Sequence, residues 1–109
     1  MRYCIKGGEI IDPTGGFIGK GDLLLEDGKV VALGPDLAAG EAEVVSASGK
    51  LVFPGLIDLH AHLREPGRED EETIASGSKA AVKGGYTTVA CMADTNPVID
   101  NADLIEFIL

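Results

Sequence analysis

The chain has 109 residues, 45% hydrophobic and 25% charged, and a formal net charge of −9 from 9 basic and 18 acidic side chains. That is the balance of one small soluble globular domain, and such a surface excludes a nucleic-acid phosphate backbone as a natural partner. No stretch approaches the ~18 apolar residues of a membrane span, and the first residues lack the apolar core of a signal peptide.

The two cysteines, Cys4 and Cys91, form no CxxC motif, so a reducing cytoplasm is the expected setting. Trp is absent and aromatic residues are few, so the core has to be built from Ile, Leu, Val and Ala. Fifteen glycines point to frequent tight turns.

In chain order, Tyr3 to Lys6 and Glu9 to Ile11 read as two short strands split by Gly7-Gly8. Pro13-Thr14-Gly15-Gly16 is a loop. Asp22 to Glu26 and Lys29 to Leu33 form a hairpin, because Asp27-Gly28 accepts the positive φ of a two-residue type I′ turn. Glu41 to Ser46 and Leu51 to Phe53 are further strands. Residues 1–53 are therefore expected to form a small antiparallel β unit with no visible chemistry.

The texture changes after Pro54-Gly55. Leu56 to Leu63 reads as a buried strand, followed by a charged loop from Arg64 to Glu69. A helix is expected over about Asp70 to Lys83, with Ile74, Ser78, Ala81 and Val82 on one face and Gly84-Gly85 ending it. Tyr86 to Met92, rich in Thr and Val, is the next strand. A loop from Asp94 to Asn101 leads into a helix from Ala102 to Leu109.

Strand, helix, strand, helix with short connections is a β/α repeat and implies a parallel sheet. A (β/α)₈ barrel takes ~250 residues, so this chain would hold two of its eight units. It is read as an N-terminal fragment or a truncated gene product. A complete small α+β domain is the alternative, and the apolar end within a helix at Ile108-Leu109 argues against it.

The two histidines of the chain are His60 and His62. Residues two apart on a strand share a face, which groups Asp58, His60, His62 and Arg64 opposite an apolar face of Ile57, Leu59, Ala61 and Leu63. Two neutral imidazoles on one face can both reach a divalent metal. A bare HxH is a weak signal, and two hydrogen-bonded core imidazoles are the alternative. Asp58 could orient an imidazole or serve strand packing. Glu65, Arg68, Glu69 and Asp70 read as a solvated charge run. Lys79 and Lys83 lie on the helix and suit no metal-bridging role.

The run from Phe53 to Gly67, FPGLIDLHAHLREPG, resembles the first barrel strand of the amidohydrolase superfamily. Its Arg-Glu-Pro-Gly continuation is similar to that of the cyclic amidohydrolases, chiefly dihydroorotases and allantoinases. The run from Cys91 to Asn101, CMADTNPVIDN, looks like the loop after the second barrel strand of class I dihydroorotases, as does Gly84 to Val89 leading into that strand. Residues 1 to 53 look, less specifically, like part of the small β-sandwich domain beside the barrel.

The resemblance implies an α/β fold: residues 54–109 as the first two β/α units of a TIM-type barrel, preceded by part of a small β domain at 1–53. It implies His60 and His62 as metal ligands for one or two Zn²⁺ ions. It implies Arg64 as the group that holds a substrate carboxylate, a task suited to a planar guanidinium. Asp94 falls at a second substrate-binding position, where family members usually carry Asn. An ionised Asp there is acceptor-only and should repel a carboxylate. The readings left open for it are a tolerated variant, a raised pKa, altered specificity, a sequence error, or a cap on the turn before Pro97.

The implied reaction is the interconversion of N-carbamoyl-L-aspartate and L-dihydroorotate in pyrimidine biosynthesis. No catalytic acid or base is assigned in this chain. The general base and further metal ligands are expected downstream, and the 109 residues alone are expected to be inactive. The alternatives are an allantoinase, a dihydropyrimidinase or hydantoinase, and a non-catalytic dihydroorotase-like partner of aspartate carbamoyltransferase. The implied associations are a small-molecule substrate, a homodimer or a complex with that transferase, and neither nucleic acid nor membrane.

Overall fold

A computed structural model describes residues 1–109. The chain forms β1 (Arg2–Asp12), β2 (Phe17–Glu26), β3 (Lys29–Gly34), β4 (Glu43–Ser46), β5 (Leu51–Val52), β6 (Leu56–Ala61), α1 (Ile74–Lys83), β7 (Tyr86–Cys91) and α2 (Ala102–Ile108). These fall into two compact units, Met1–Pro54 and Gly55–Leu109. No helix is long and apolar enough to cross a membrane.

The first unit is a five-stranded sheet with the path β3-β2-β1-β4, and β5 also pairs with β1. The Asp27-Gly28 turn has φ of 49° and 77°, the positive pair that its sequence requires. The unit is not all antiparallel. β4 and β5 run parallel to β1, because the Pro35–Ala42 connection carries the chain back across the sheet before it pairs again. Cys4, Leu24 and Ala32 lie in register across three strands, and Leu37, Ala39 and Ala42 of that connection cover them. Cys4 is wholly buried, which fits a small apolar core residue.

The two expected short strands at residues 3–11 are one strand with a bulge. The register slips between Ile5 and Gly8, and Gly7 sits at φ 71°. An extra residue leaves ladder groups without a cross-strand partner. Here Asp22 satisfies one at the bulge and one in the connection after β3: its Oδ1 accepts the Gly7 N–H at 2.8 Å, and its Oδ2 accepts the Leu37 N–H at 3.0 Å. Lys6 Nζ donates to Asp22 Oδ2 at 2.6 Å and to the Leu37 carbonyl at 2.7 Å. Asp22 is 5% exposed, so this carboxylate is buried with its donors in place. The close approach of Gly8 to Val52, where a Cβ would lie 2.6 Å from Val52 Cγ2, keeps β5 against the bulged strand.

The second unit has β6 and β7 parallel, with α1 between them in sequence. The helix begins at Ile74, four residues later than the charge pattern suggests. Thr73 is its N-cap: Thr73 Oγ1 accepts the Ser76 N–H at 3.0 Å, and Ser76 Oγ accepts the Thr73 N–H at 3.0 Å. This reciprocal box outcompetes helical geometry for the preceding Asp70-Glu71-Glu72. The packed face of α1 is Ile74, Gly77 and Ala81, whereas Ser78 and Val82 are exposed. Gly77 allows the approach, since a Cβ there would meet Leu63 Cδ2 at 2.7 Å. Asn101 caps α2 through the Leu104 N–H at 3.1 Å.

The Lys6–Asp22 pair gives a pH prediction. The hydrogen bond from Lys6, then that from Gly7, hold the Asp22 carboxyl below the usual aspartate value, and the same bond raises Lys6. A depressed carboxyl contributes stability that is full above its unfolded value of ~3.9 and is lost as pH falls through the folded value. A raised lysine contributes stability that is full below ~10.4 and is lost as pH rises through its folded value. Asp22→Asn is therefore expected to lower the melting temperature by a nearly constant amount, roughly 5 °C or more, between about pH 5 and pH 10. The gap to the wild type should start to narrow as pH falls below about 4 and close only below the folded value. Thermal melts from about pH 10 down into the acid range check it, and a gap that does not narrow at all as pH falls below about 4 would contradict it.

Candidate functional site

Parallel pairing brings the C-terminal ends of β6 and β7 to the same edge. The ladder ends with Ala61 opposite Cys91 and the Met92 N–H bonded to the Ala61 carbonyl at 2.8 Å. Everything after Ala61 on one strand and Met92 on the other leaves the sheet there. His62, Arg64 and Asp94 emerge side by side.

Strand alternation does not carry through this region unbroken. The register shifts between Asp58 and Ala61, which pair with Val89 and Cys91. Asp58 Oδ1 accepts the His60 N–H at 2.9 Å, so this carboxylate serves the irregular backbone rather than an imidazole ring. β6 also ends at Ala61 rather than Leu63, and Arg64 has φ 63°. Arg64 is thus aimed by a left-handed turn and not by strand parity.

The imidazoles still meet. The ring centroids of His60 and His62 are 5.1 Å apart with their planes tilted by 59°. His62 Nδ1 lies 3.0 Å from Asp94 Oδ1. With Nδ1–H donated to that carboxylate, Nε2 keeps the lone pair a metal needs, the usual arrangement of a carboxylate behind a ligating histidine. The two rings fit part of a divalent-metal site. No group of three or more metal-ligating side chains occurs in the chain, and a catalytic zinc takes about three protein ligands.

Arg64 lies between two carboxylates. Its Nε is 3.4 Å from Glu71 Oε2, and its Nη1 is 3.8 Å from Asp94 Oδ2. Glu71 also pairs with Arg68. The hydrogen bond from His62, with a smaller pull from Arg64, holds the Asp94 carboxyl below the usual aspartate range. Asp94 is therefore an anion, and the raised-pKa reading fails. Nor does Asp94 cap the turn at Pro97, where Thr95 Oγ1 bonds the Pro97 carbonyl at 2.8 Å.

The sequence reading missed three loop residues. Glu65 is not merely solvated: its Oε2 accepts the Ile74 N–H at 2.7 Å and ties the loop after β6 to the start of α1. Glu71 reaches back to Arg64, which no sequence spacing announces. Gly67, at φ 102°, packs so tightly that a Cβ would overlap the Asn96 carbonyl oxygen. The Asn96 N–H also bonds the Pro66 carbonyl at 3.0 Å. The Pro66-Gly67 turn signal could have flagged a special conformation there, but not its partner. A cleft of about 230 Å³ beneath α1 takes in Asp58, His62, Glu72 and Tyr86, while Arg64 and Asp94 lie outside its lining.

Gly67 locks the two loops in register, so Gly67→Ala should push Asn96 away and lengthen the His62–Asp94 contact. The left-handed φ and the overlap together should destabilise the native loop pair by on the order of 1–3 kcal/mol. The check is the ¹⁵N chemical shifts of the His62 ring, which report whether Nδ1 keeps its proton. Unchanged shifts in the variant would count against the lock.

Residues 49–109 match the family model described as dihydro-orotase-like. The chain is 53% identical over 108 residues to a dihydroorotase of Pelotomaculum thermopropionicum, covering 99% of this chain and 25% of that protein. It is 44% identical over its full length to a dihydroorotase of Aquifex aeolicus, covering 26% of that protein. Among solved structures it is similar to an L-hydantoinase (dihydropyrimidinase) from Arthrobacter aurescens. The TM-score there is 0.83 at 28% identity, covering 96% of this chain and 23% of that one. A D-hydantoinase structure matches with a TM-score of 0.71 at 40% identity, covering 82% of this chain and 19% of that one. The chain thus spans about a quarter of the length of the curated relatives it matches. With an α/β architecture like that of the hydantoinases and a family match over residues 49–109, this chain belongs to the dihydro-orotase-like family.

Proposed function

We propose that this chain is the N-terminal portion of a zinc-dependent dihydroorotase, a cytoplasmic enzyme that interconverts N-carbamoyl-L-aspartate and L-dihydroorotate in pyrimidine biosynthesis. The observation that carries the reading is the meeting of His60 and His62 at the C-terminal end of a parallel strand, beside Arg64. Barrel active sites form at that end of the strands. On this reading, residues 54–109 are the first two β/α units of a TIM-type barrel, and residues 1–53 are part of a small β-sandwich domain.

His60 and His62 would each give an imidazole nitrogen to zinc, with Asp94 fixing the His62 ring through Nδ1. Zinc in such a site supplies an activated water near neutral pH and polarisation of the substrate carbonyl. Arg64 orients the substrate at its charged end, which makes the ring carbonyl's position a matter of binding rather than chance. The proton of the ring nitrogen is handled by a general base outside these 109 residues. One or two metal ions are compatible with two imidazoles from this segment.

A second reading, a hydantoinase or dihydropyrimidinase, is favoured by the TM-score of 0.83 to the Arthrobacter aurescens protein. These enzymes open related cyclic amides, so the metal end would be shared and the Arg64 end would differ.

The test uses the full-length protein with zinc. Dihydroorotate hydrolysis should exceed that of dihydrouracil, and His60→Ala or His62→Ala should cut turnover and bound zinc, turnover by on the order of 100-fold or more. Chelation should abolish activity and added zinc restore it. Full activity in either histidine variant would rule out the assigned ligands. The isolated 109 residues should be inactive, and zinc-dependent turnover by them would be decisive against that expectation.

A further inference from the structure

The Arg64 guanidinium is already faced by the chain's own anions. Asp94 sets Oδ1 3.0 Å from His62 Nδ1 and Oδ2 3.8 Å from Arg64 Nη1, and Glu71 Oε2 lies 3.4 Å from Arg64 Nε. One cation thus has a carboxylate toward its Nε and another toward Nη1, the kind of donors a ligand carboxylate would use. Glu71 is shared with Arg68, so the four side chains are neutral as a set.

A ligand carboxylate arriving at Arg64 has to share the guanidinium with these groups and lie beside them. Like charges held close repel, modestly where the side chains are as exposed as the 53% of Asp94 and the 39% of Glu71. A neutral ring meets no such repulsion.

We infer that Asp94 is a specificity-determining residue: by setting a negative charge beside Arg64 it handicaps carboxylate-bearing cyclic amides relative to neutral rings, compared with the same site carrying a neutral residue at 94. This rests on the reading of His60, His62 and Arg64 as one substrate site. Asp94 does two jobs with two oxygens, so the trade is built into one side chain: the oxygen on His62 is useful to a metal, and the oxygen on Arg64 is a cost to an anionic ligand.

The experiment compares the zinc-loaded full-length protein with its D94N variant, using orotate and uracil as probes. The two ligands differ only in the carboxylate, and their unsaturated rings resist hydrolysis. NMR titration reads the dissociation constants into the millimolar range. D94N should tighten orotate by about fivefold and leave uracil within about twofold. Arg64→Met added to D94N should erase the gain. Orotate binding that is unchanged or weaker in D94N, absent from both proteins, or accompanied by an equal tightening of uracil, overturns the inference. Should D94N fail to fold, E71Q takes its place: it removes the other anion away from His62 and should tighten orotate by a smaller factor, with no gain counting against the proposal. Zinc content and dihydroorotate turnover of the wild-type protein are measured on the same sample. Loss of both with the orotate gain intact removes the dihydroorotase reading and leaves the role of Asp94 standing.

Discussion

The point at which the β6–β7 ladder stops governs the candidate site. A parallel pair ends both strands at one edge, and the last bond, from the Met92 N–H to the Ala61 carbonyl, fixes where. One residue later on β6 comes His62, and two residues later on β7 comes Asp94, close enough for a 3.0 Å contact. Had the ladder run on through His62, the ring would have been committed to a strand face and Arg64 to alternation. Instead the chain turns at Arg64 with φ 63°, and the guanidinium swings toward Glu71 and Asp94.

Two aspartates show what environment does to the same functional group. Asp22 accepts two backbone N–H groups and a lysine and is buried, so its role ends with holding a bulge and a connection in place. Asp94 is half-exposed, takes one donor from His62, and stands near a guanidinium at a distance too long for a full hydrogen bond. Its spare acceptor capacity is what gives it chemical consequence. Both carboxyls are held below the ordinary aspartate value, chiefly by a side-chain donor, and the direction of the shift alone would not distinguish them.

Much of this was legible in the residues because it is local. The Asp27-Gly28 turn, the strand at Tyr86, the β/α alternation and the HxH pair all follow from propensity and period. What escaped was non-local. The bulge at Lys6-Gly7 depends on Asp22 arriving from the next strand. The parallel course of β4 depends on where the Pro35–Ala42 connection lies. The start of α1 was misjudged because the acidic residues 70–72 resemble a first turn, while Thr73 and Ser76 hold the true cap. At the site, His60 and His62 were found by spacing. Glu71 and Gly67 act through partners 7 and 29 residues away, and no pattern within the chain encodes such a pairing.

The parallel pairing also bears on the order of assembly. The β2–β3 hairpin closes a turn of two residues, whereas Leu56 must find Tyr86 about thirty residues along the chain. Loop-closure entropy grows with the logarithm of that separation and has to be met before the ladder returns any bonds. The β2–β3 hairpin can therefore close early, whereas the pairing of β4 with β1, forty residues apart, and the edge that gathers His62, Arg64 and Asp94 both form later. During synthesis the two histidines leave the ribosome about thirty residues ahead of the strand that orders them, so for that interval the imidazole pair exists without the neighbours that fix its geometry.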